Sequence, residues 1–182
     1  MTDPPASAIE VIDFWREAGP DLWFAKNAEF DQRFRDRFLD LHDVVARGGL
    51  WHWLETSAGA LALVLLLDQF PRNAFRNAPR MYATDGLARE IAAKAIEAGF
   101  DRDVEPQLQG FFYLPFGHSE SLSDQERSVT LASRLGGPFL AHAEGHCDIV
   151  RRFGRFPHRN PIFGRESTEE ERRFLEDGGY AG

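Results

Sequence analysis

"AGALALVLLLDQFPRN", Ala58 to Asn73, is the stretch on which the fold turns. Ala58 to Leu67 is apolar without interruption, yet it is far shorter than the ~20 residues a membrane span requires. A run with no polar face has to be hidden on all sides, so it predicts the buried central helix of a globular chain. Thr56 and Ser57 mark its start, and Pro71, whose ring clashes with a preceding helical turn, is expected to end it. Asp68 then stands at the C-terminal end of an apolar helix, where the partial negative dipole disfavours an anion by ~0.3–1 kcal/mol. It needs a cation. Because Pro71 interrupts the helical spacing to Arg72, an arginine from elsewhere is the expected partner.

Outward from this segment the chain reads as helices. "SAIE", Ser7 to Glu10, has the form of a capping box and opens a helix to Ala18. Phe30, Phe34, Phe38, Leu41 and Val45 recur at three- and four-residue steps as one apolar stripe that stops at Gly48 and Gly49. After the central segment come a helix from Pro79 to Ala98, with Leu87, Ile91 and Ala95 inward, and a short one from Glu105 to Tyr113 with Pro106 in its first turn. "SDQE", Ser123 to Glu126, is a second capping-box pattern opening a helix to Leu135, which Gly136, Gly137 and Pro138 break. A helix from Pro138 to Phe153 follows, and "STEE", Ser167 to Glu170, caps a last one ending near Asp177. No segment alternates like a strand and no linker divides the chain. The economical reading is one all-α domain over residues 1–182, a helical bundle.

Composition limits the functions. The 182 residues carry a net charge of −8, which argues against non-specific nucleic-acid binding because a phosphate backbone demands a broad basic surface. The single cysteine, Cys147, excludes an internal disulfide and offers no CxxC metal pair; it shares a helix face with Ala143 and Val150 and reads as a structural thiol. "MTDPPASAIEVIDF" has no basic stretch ahead of an apolar core, so it is not read as a secretory signal, and a cytoplasmic, non-membrane setting is expected. Since 19 of the 21 basic residues are arginine, arginine abundance carries little information. Arginine placement carries more: Ile149 to Arg165 holds five arginines and no acid.

Four motifs in order, "VIDFWREAGPDLWF", "LLLDQFPRN", "YLPFGHSE" and "FGRFPHRN", resemble the bacterial domain-of-unknown-function 924 family over roughly Val11 to Leu175. The resemblance implies a TPR-like right-handed superhelix of about seven or eight helices, and it brings no activity, substrate or catalytic residue. Pro161 and Phe163 stand where a more aliphatic ending is expected, and the ~34-residue period of TPR repeats is not evident.

Several residues could carry chemistry. His142 and His146, four apart on one helix, could aim two imidazoles at one metal, but the HExxH glutamate is absent and His146 lies on an apolar face, so a core histidine is expected and no metal or cofactor is assigned. "GHSES", Gly117 to Ser121, lacks the last glycine and the preceding strand of a serine-hydrolase elbow, which disfavours Ser119 as a nucleophile. "FGRFPHRNPIFGR", Phe153 to Arg165, threads three arginines and a histidine between three phenylalanines and two prolines, so its guanidinium forks are held by anchored aromatic rings. Asp68, Arg72, His118, Glu120, Arg155, His158 and Arg159 are therefore expected to converge. Two readings stay open, an internal clasp or a site for an anionic small molecule or acidic peptide end. The alternatives to a binding protein are a hydrolase, with His118 or His158 as acid/base oriented by Asp68 or Glu120, and a protein-interaction scaffold. The oligomeric state has no signature in the sequence.

Overall fold

The computed structural model describes residues 5–182, and among them every regular element is helical. The chain divides into two units, one formed by the residues up to Arg76 with Arg80–Pro115, the other by Asn77–Pro79 with Phe116–Gly182.

The first unit contains α1 (Ala6–Ala18), α2 (Pro20–Trp23), α3 (Ala28–Ala46), α4 (Ser57–Val64), α5 (Phe70–Ala74), α6 (Asp85–Glu97) and α7 (Pro106–Gln109). As the apolar run requires, α4 is its centre: α1, α6 and the 3-10 turns Trp51–Glu55 and Gly110–Phe112 pack around it. Leu63, Leu65 and Leu66 are fully buried. Thr56 caps α4 by accepting the Gly59 N–H at 3.0 Å. Gly59 has to be glycine, because a Cβ there would stand 2.1 Å from the Trp53 carbonyl. On α3 the buried stripe is Phe30, Phe34, Phe38, His42 and Val45. His42 takes the place expected for Leu41, because its ring stacks on Phe70 at 4.8 Å while Nδ1 meets the Leu66 carbonyl at 2.9 Å. Its polarity is thereby accommodated inside the aromatic core.

Pro71 does not end the central helix. Residues Leu65–Gln69 widen into a π turn, in which the Phe70 N–H reaches the Leu65 carbonyl, and α5 resumes with Pro71 in its first turn, where a missing N–H is tolerated. The Leu67 carbonyl, four residues before the proline, instead accepts from the Thr84 hydroxyl at 2.6 Å. Asp68 consequently lies within a continuing helical path, and the dipole argument made for it from the sequence does not apply.

After α8 (Leu114–Gly117), the second unit contains α9 (Leu122–Ala132), α10 (Gly137–Phe153) and α11 (Glu169–Glu176). α9 packs on α10, α11 packs on the 3-10 turn Pro157–Arg159, and Ile149, Val150, Phe156, Phe153 and Phe174 form a shared apolar cluster. Cys147 is buried.

The three capping-box patterns fare differently. α1 begins at Ala6 behind Pro5 with no side-chain cap, so Ser7 is already inside the helix. α9 begins behind Ser121, not Ser123. The box of α11 does form, one residue later than expected: Thr168 accepts the Glu171 N–H at 3.1 Å and Glu171 accepts the Thr168 N–H at 2.8 Å. Glu171 is also gripped by Arg155 and Asn160, and those distant partners fix the register.

Candidate functional site

The seven residues expected to converge fall in different units: Asp68 and Arg72 in the first, His118, Glu120, Arg155, His158 and Arg159 in the second. In the first unit the π turn aims Asp68 and Arg72 at one another. Arg72 Nη1 lies 3.2 Å from Asp68 Oδ1 and donates to the Asp68 carbonyl at 2.8 Å, so the arginine four residues on is a partner despite Pro71. The same guanidinium forks onto Asp85 at 2.9 and 3.0 Å, and Gln69 Nε2 donates to Asp68 Oδ2 at 2.6 Å. Burial works against the Arg72 charge, but Asp68 and Asp85 more than offset it and its proton is held more tightly than usual. This nest is a clasp.

In the second unit, Arg155 and Arg165 of the aromatic loop are clasped in the same way. Arg155 is bidentate on the buried Glu171 at 2.6 and 2.8 Å, and Arg165 is bidentate on Glu120 at 2.7 and 2.9 Å. Glu120 further accepts the Phe156 N–H at 2.9 Å. Burial alone would raise its pKa, yet Arg165 and that N–H hold it below the usual range. Both carboxylate oxygens of Glu120 are thus directed at the loop, which is not the arrangement expected of a group orienting a catalytic histidine. Ser119 is likewise occupied: it donates to Asp124 at 2.6 Å and accepts the Ser121 N–H at 3.2 Å, a local turn at the start of α9.

What the loop does bring together is a group of histidines. α10 carries His142 and His146 on successive turns with ring centroids 4.0 Å apart, and His118, just after α8, lies 6.4 Å from His146. Phe156 packs edge-on against His146 at 5.0 Å and sits 5.6 Å from His158. The turn Asp177–Gly178 after α11 leads through Gly179 to Tyr180, whose ring meets His146 at 4.6 Å, His158 at 5.2 Å and His142 at 6.0 Å. The Arg159 guanidinium lies over the Phe156 ring at 4.4 Å.

His146 defines the chemistry of this cluster. Its Nδ1 lies 3.0 Å from the Gly117 carbonyl, which can only accept, so the proton is on Nδ1 and the lone pair on Nε2. Gln125 Nε2 donates to the same carbonyl at 2.8 Å and fixes it. Nε2 of His146 is buried and has no hydrogen-bond partner among the described residues. The core histidine expected from the sequence is therefore satisfied on one nitrogen only. Burial, then the neighbouring His142 and His118, then Arg159 push His146 down to about 2; burial and His118 push His142 down to about 4. Both rings are neutral at ordinary pH, held so chiefly by desolvation.

Among the described residues no group of three or more His, Cys, Asp or Glu side chains is arranged to hold a metal ion. Nor is any helix there long and apolar enough to cross a membrane. A surface hollow of about 740 Å³ beside α11 is lined by Arg152, Glu169, Glu170 and Arg173, but these charges pair with one another, Arg152 with Glu170 and Arg173 with Glu169. The i,i+4 histidines were legible in the sequence. The parts of Phe156 and Tyr180 were not, since a tyrosine after two glycines carries no signal of where its ring will rest.

Comparison with known proteins gives the same fold and a family. A protein of unknown function from Agrobacterium tumefaciens, ATU0120, has a solved structure that matches with a TM-score of 0.94 at 56% identity, over 95% of this chain and 98% of that one. No curated protein matches the chain. The family model for DUF924, described as a bacterial protein of unknown function, matches residues 11–179, and the chain, whose four motifs lie in that span, belongs to this family.

Proposed function

We propose that the protein is a binding protein that holds an anionic small molecule or an acidic peptide end at the histidine cluster of residues 116–182, with Arg159 supplying fixed positive charge. The observation that carries this reading is the state of His146 and His142, two imidazoles packed together and kept neutral chiefly by burial, with Arg159 adding a smaller effect at His146. An anion arriving among these rings is attracted by Arg159 and lets an imidazole take up a proton, because its charge offsets part of the cost that burial places on the imidazolium. The lone pair on His146 Nε2 adds an acceptor for a ligand O–H or N–H. Arg72, Arg155 and Arg165 are bidentate on carboxylates and play the clasp's part. His118, His158 and Arg159 stay as ligand-binding residues, joined by His142 and His146. A cytoplasmic setting accords with a single, buried thiol.

Citrate is a suitable probe. Calorimetric titration in two buffers of different ionisation heat should detect binding accompanied by proton uptake, weakened at least about tenfold in Arg159→Ala. Absence of citrate binding, or equal affinity in Arg159→Ala, would remove the anion from the reading.

A further inference from the structure

Tyr180 is held in an unusual way for an exposed side chain. It is 39% exposed, yet its ring stands edge-to-face on three imidazoles at once, with interplanar angles of 64° to His146, 80° to His158 and 81° to His142. This is the arrangement in which the positive edge of one ring meets the negative face of another, and it selects aromatic rings over aliphatic groups of similar bulk. The rings that make the slot belong to α10 and to the Phe156 loop, so they are built independently of the segment that fills it. That segment is joined to α11 through Gly178, at φ +86°, and Gly179, whose N–H is tied to the Phe174 carbonyl at 2.8 Å. Gly179 has no room for a side chain, because a Cβ would stand 2.5 Å from that carbonyl. The two glycines thus set the direction from which Tyr180 enters. Beneath the ring lies His146, 3% exposed, with a buried acceptor nitrogen that makes no hydrogen bond.

From these contacts we infer that the ligand of the cluster carries an aromatic ring bearing an anionic group, and that Tyr180 is an internal occupant of the ring slot which such a ligand displaces. The inference rests on the anion-binding reading above and adds the ligand class and its competitor. Arg159, whose guanidinium lies 4.4 Å from the centroid of the Phe156 ring that packs on His146, supplies the charge for the anionic group. His142 and His158 supply the faces that flank the ring. Occupation by Tyr180 lowers the apparent affinity for any external ring, since the binding-competent state is then only a fraction of the population.

The test uses 4-hydroxybenzoate, with cyclohexanecarboxylate as its non-aromatic counterpart and citrate as the plain anion, on the full chain. Wild type should bind 4-hydroxybenzoate with movement of the Tyr180 ring resonances toward solvent-exposed values. Tyr180→Ala should bind it at least about fivefold more tightly while leaving citrate affinity less affected. His142→Ala, at a half-buried position where folding is least at risk, should weaken 4-hydroxybenzoate more than cyclohexanecarboxylate. If citrate binds but the aromatic and cyclohexane acids bind alike and Tyr180→Ala changes neither, the ring slot is refuted and the anion site stands. If none of the three binds wild type or Tyr180→Ala, both readings are overturned together.

Discussion

The Arg72 nest of the first unit and the His146 cluster of the second are both buried, and they meet the cost of burial in opposite ways. In the nest the charges are kept and neutralised locally: one guanidinium faces two carboxylates, and a glutamine amide takes a remaining oxygen. In the cluster the charges are discharged, so that imidazoles sit neutral among other rings with a lone pair to spare. A fully paired ion cluster has little left to offer a ligand, whereas buried neutral bases with an unused lone pair respond to whatever anion or proton reaches them. That difference is why Arg72, Arg155 and Arg165 read as supports, and why the histidines, with Arg159, carry the proposed function.

The sharpest way to break the contrast is Arg72→Ala. If the nest is structural, removing the cation opposite the fully buried Asp68 should destabilise the protein by about 3–5 kcal/mol in denaturant unfolding. A loss under about 1 kcal/mol would mean that Asp68 draws its stability from other contacts.

Acid should expose the cluster next. His142 and His146 have folded pKa values of about 4 and about 2, below the unfolded 6.5, so the unfolded chain binds protons that the folded chain refuses. Their contribution is complete above pH 6.5 and is lost as pH falls toward the folded values. Between pH 6.5 and 5 the loss should be about 2 kcal/mol after allowing for water around the half-buried His142. His42 in the first unit is also lowered, by burial, so the comparison to make is wild type against the double variant His142→Phe, His146→Phe. The variant should show a visibly flatter limb in this window. Glu171, held down to about 2 first by Arg155 despite burial, begins to act only below pH 4.5 and does not confuse the result. A double variant as acid-sensitive as wild type would contradict the neutral-histidine account.

Smaller effects sharpen the picture further. Thr84→Val keeps the shape but removes the donor to the Leu67 carbonyl left by Pro71, and should cost about 1–2 kcal/mol in thermal or urea unfolding. Tyr180→Ala should cost less than about 1 kcal/mol, because an exposed ring on three imidazoles contributes little to folding even where it matters to binding. A large loss there would turn Tyr180 from an occupant into a structural pillar.

Much of the architecture could be read from local pattern. The apolar run of Ala58–Leu67 admitted only a central helix, and the three- and four-residue steps from Phe30 to Val45 located the buried face of α3. Even there one side chain was misassigned. His42 and not Leu41 is inside, because a carbonyl freed by the π turn and a phenylalanine ring were waiting for it, and neither is a property of residues near 42 in sequence. Capping boxes were legible as patterns but not as registers: Ser7 and Ser123 lost to neighbours, and Thr168 prevailed over Ser167 where Arg155 and Asn160 hold Glu171. For the candidate site, the loop's arginines announced themselves and the histidine pair was visible at its i,i+4 spacing. Which of them would be paired off was not visible, since pairing depends on partners such as Asp85 and Glu171 that gave no sign in the motifs.

By itself the sequence determined the all-helical class, the segment at the centre of the first unit, and the motifs that identify the family. Hydrophobic periodicity and the need to hide an unbroken apolar run act over a few turns of chain, so they survive being read one residue after another. Only the tertiary structure decided that a proline would be carried through by a π turn, that Arg72 would face Asp68 and Asp85, and that Tyr180 would rest on three histidines. Each of those outcomes depends on which polar groups meet once water is excluded, and apart from the Asp68–Arg72 pair that meeting joins residues 13 to 38 positions apart, whose spacing in the chain encodes nothing about their distance in space.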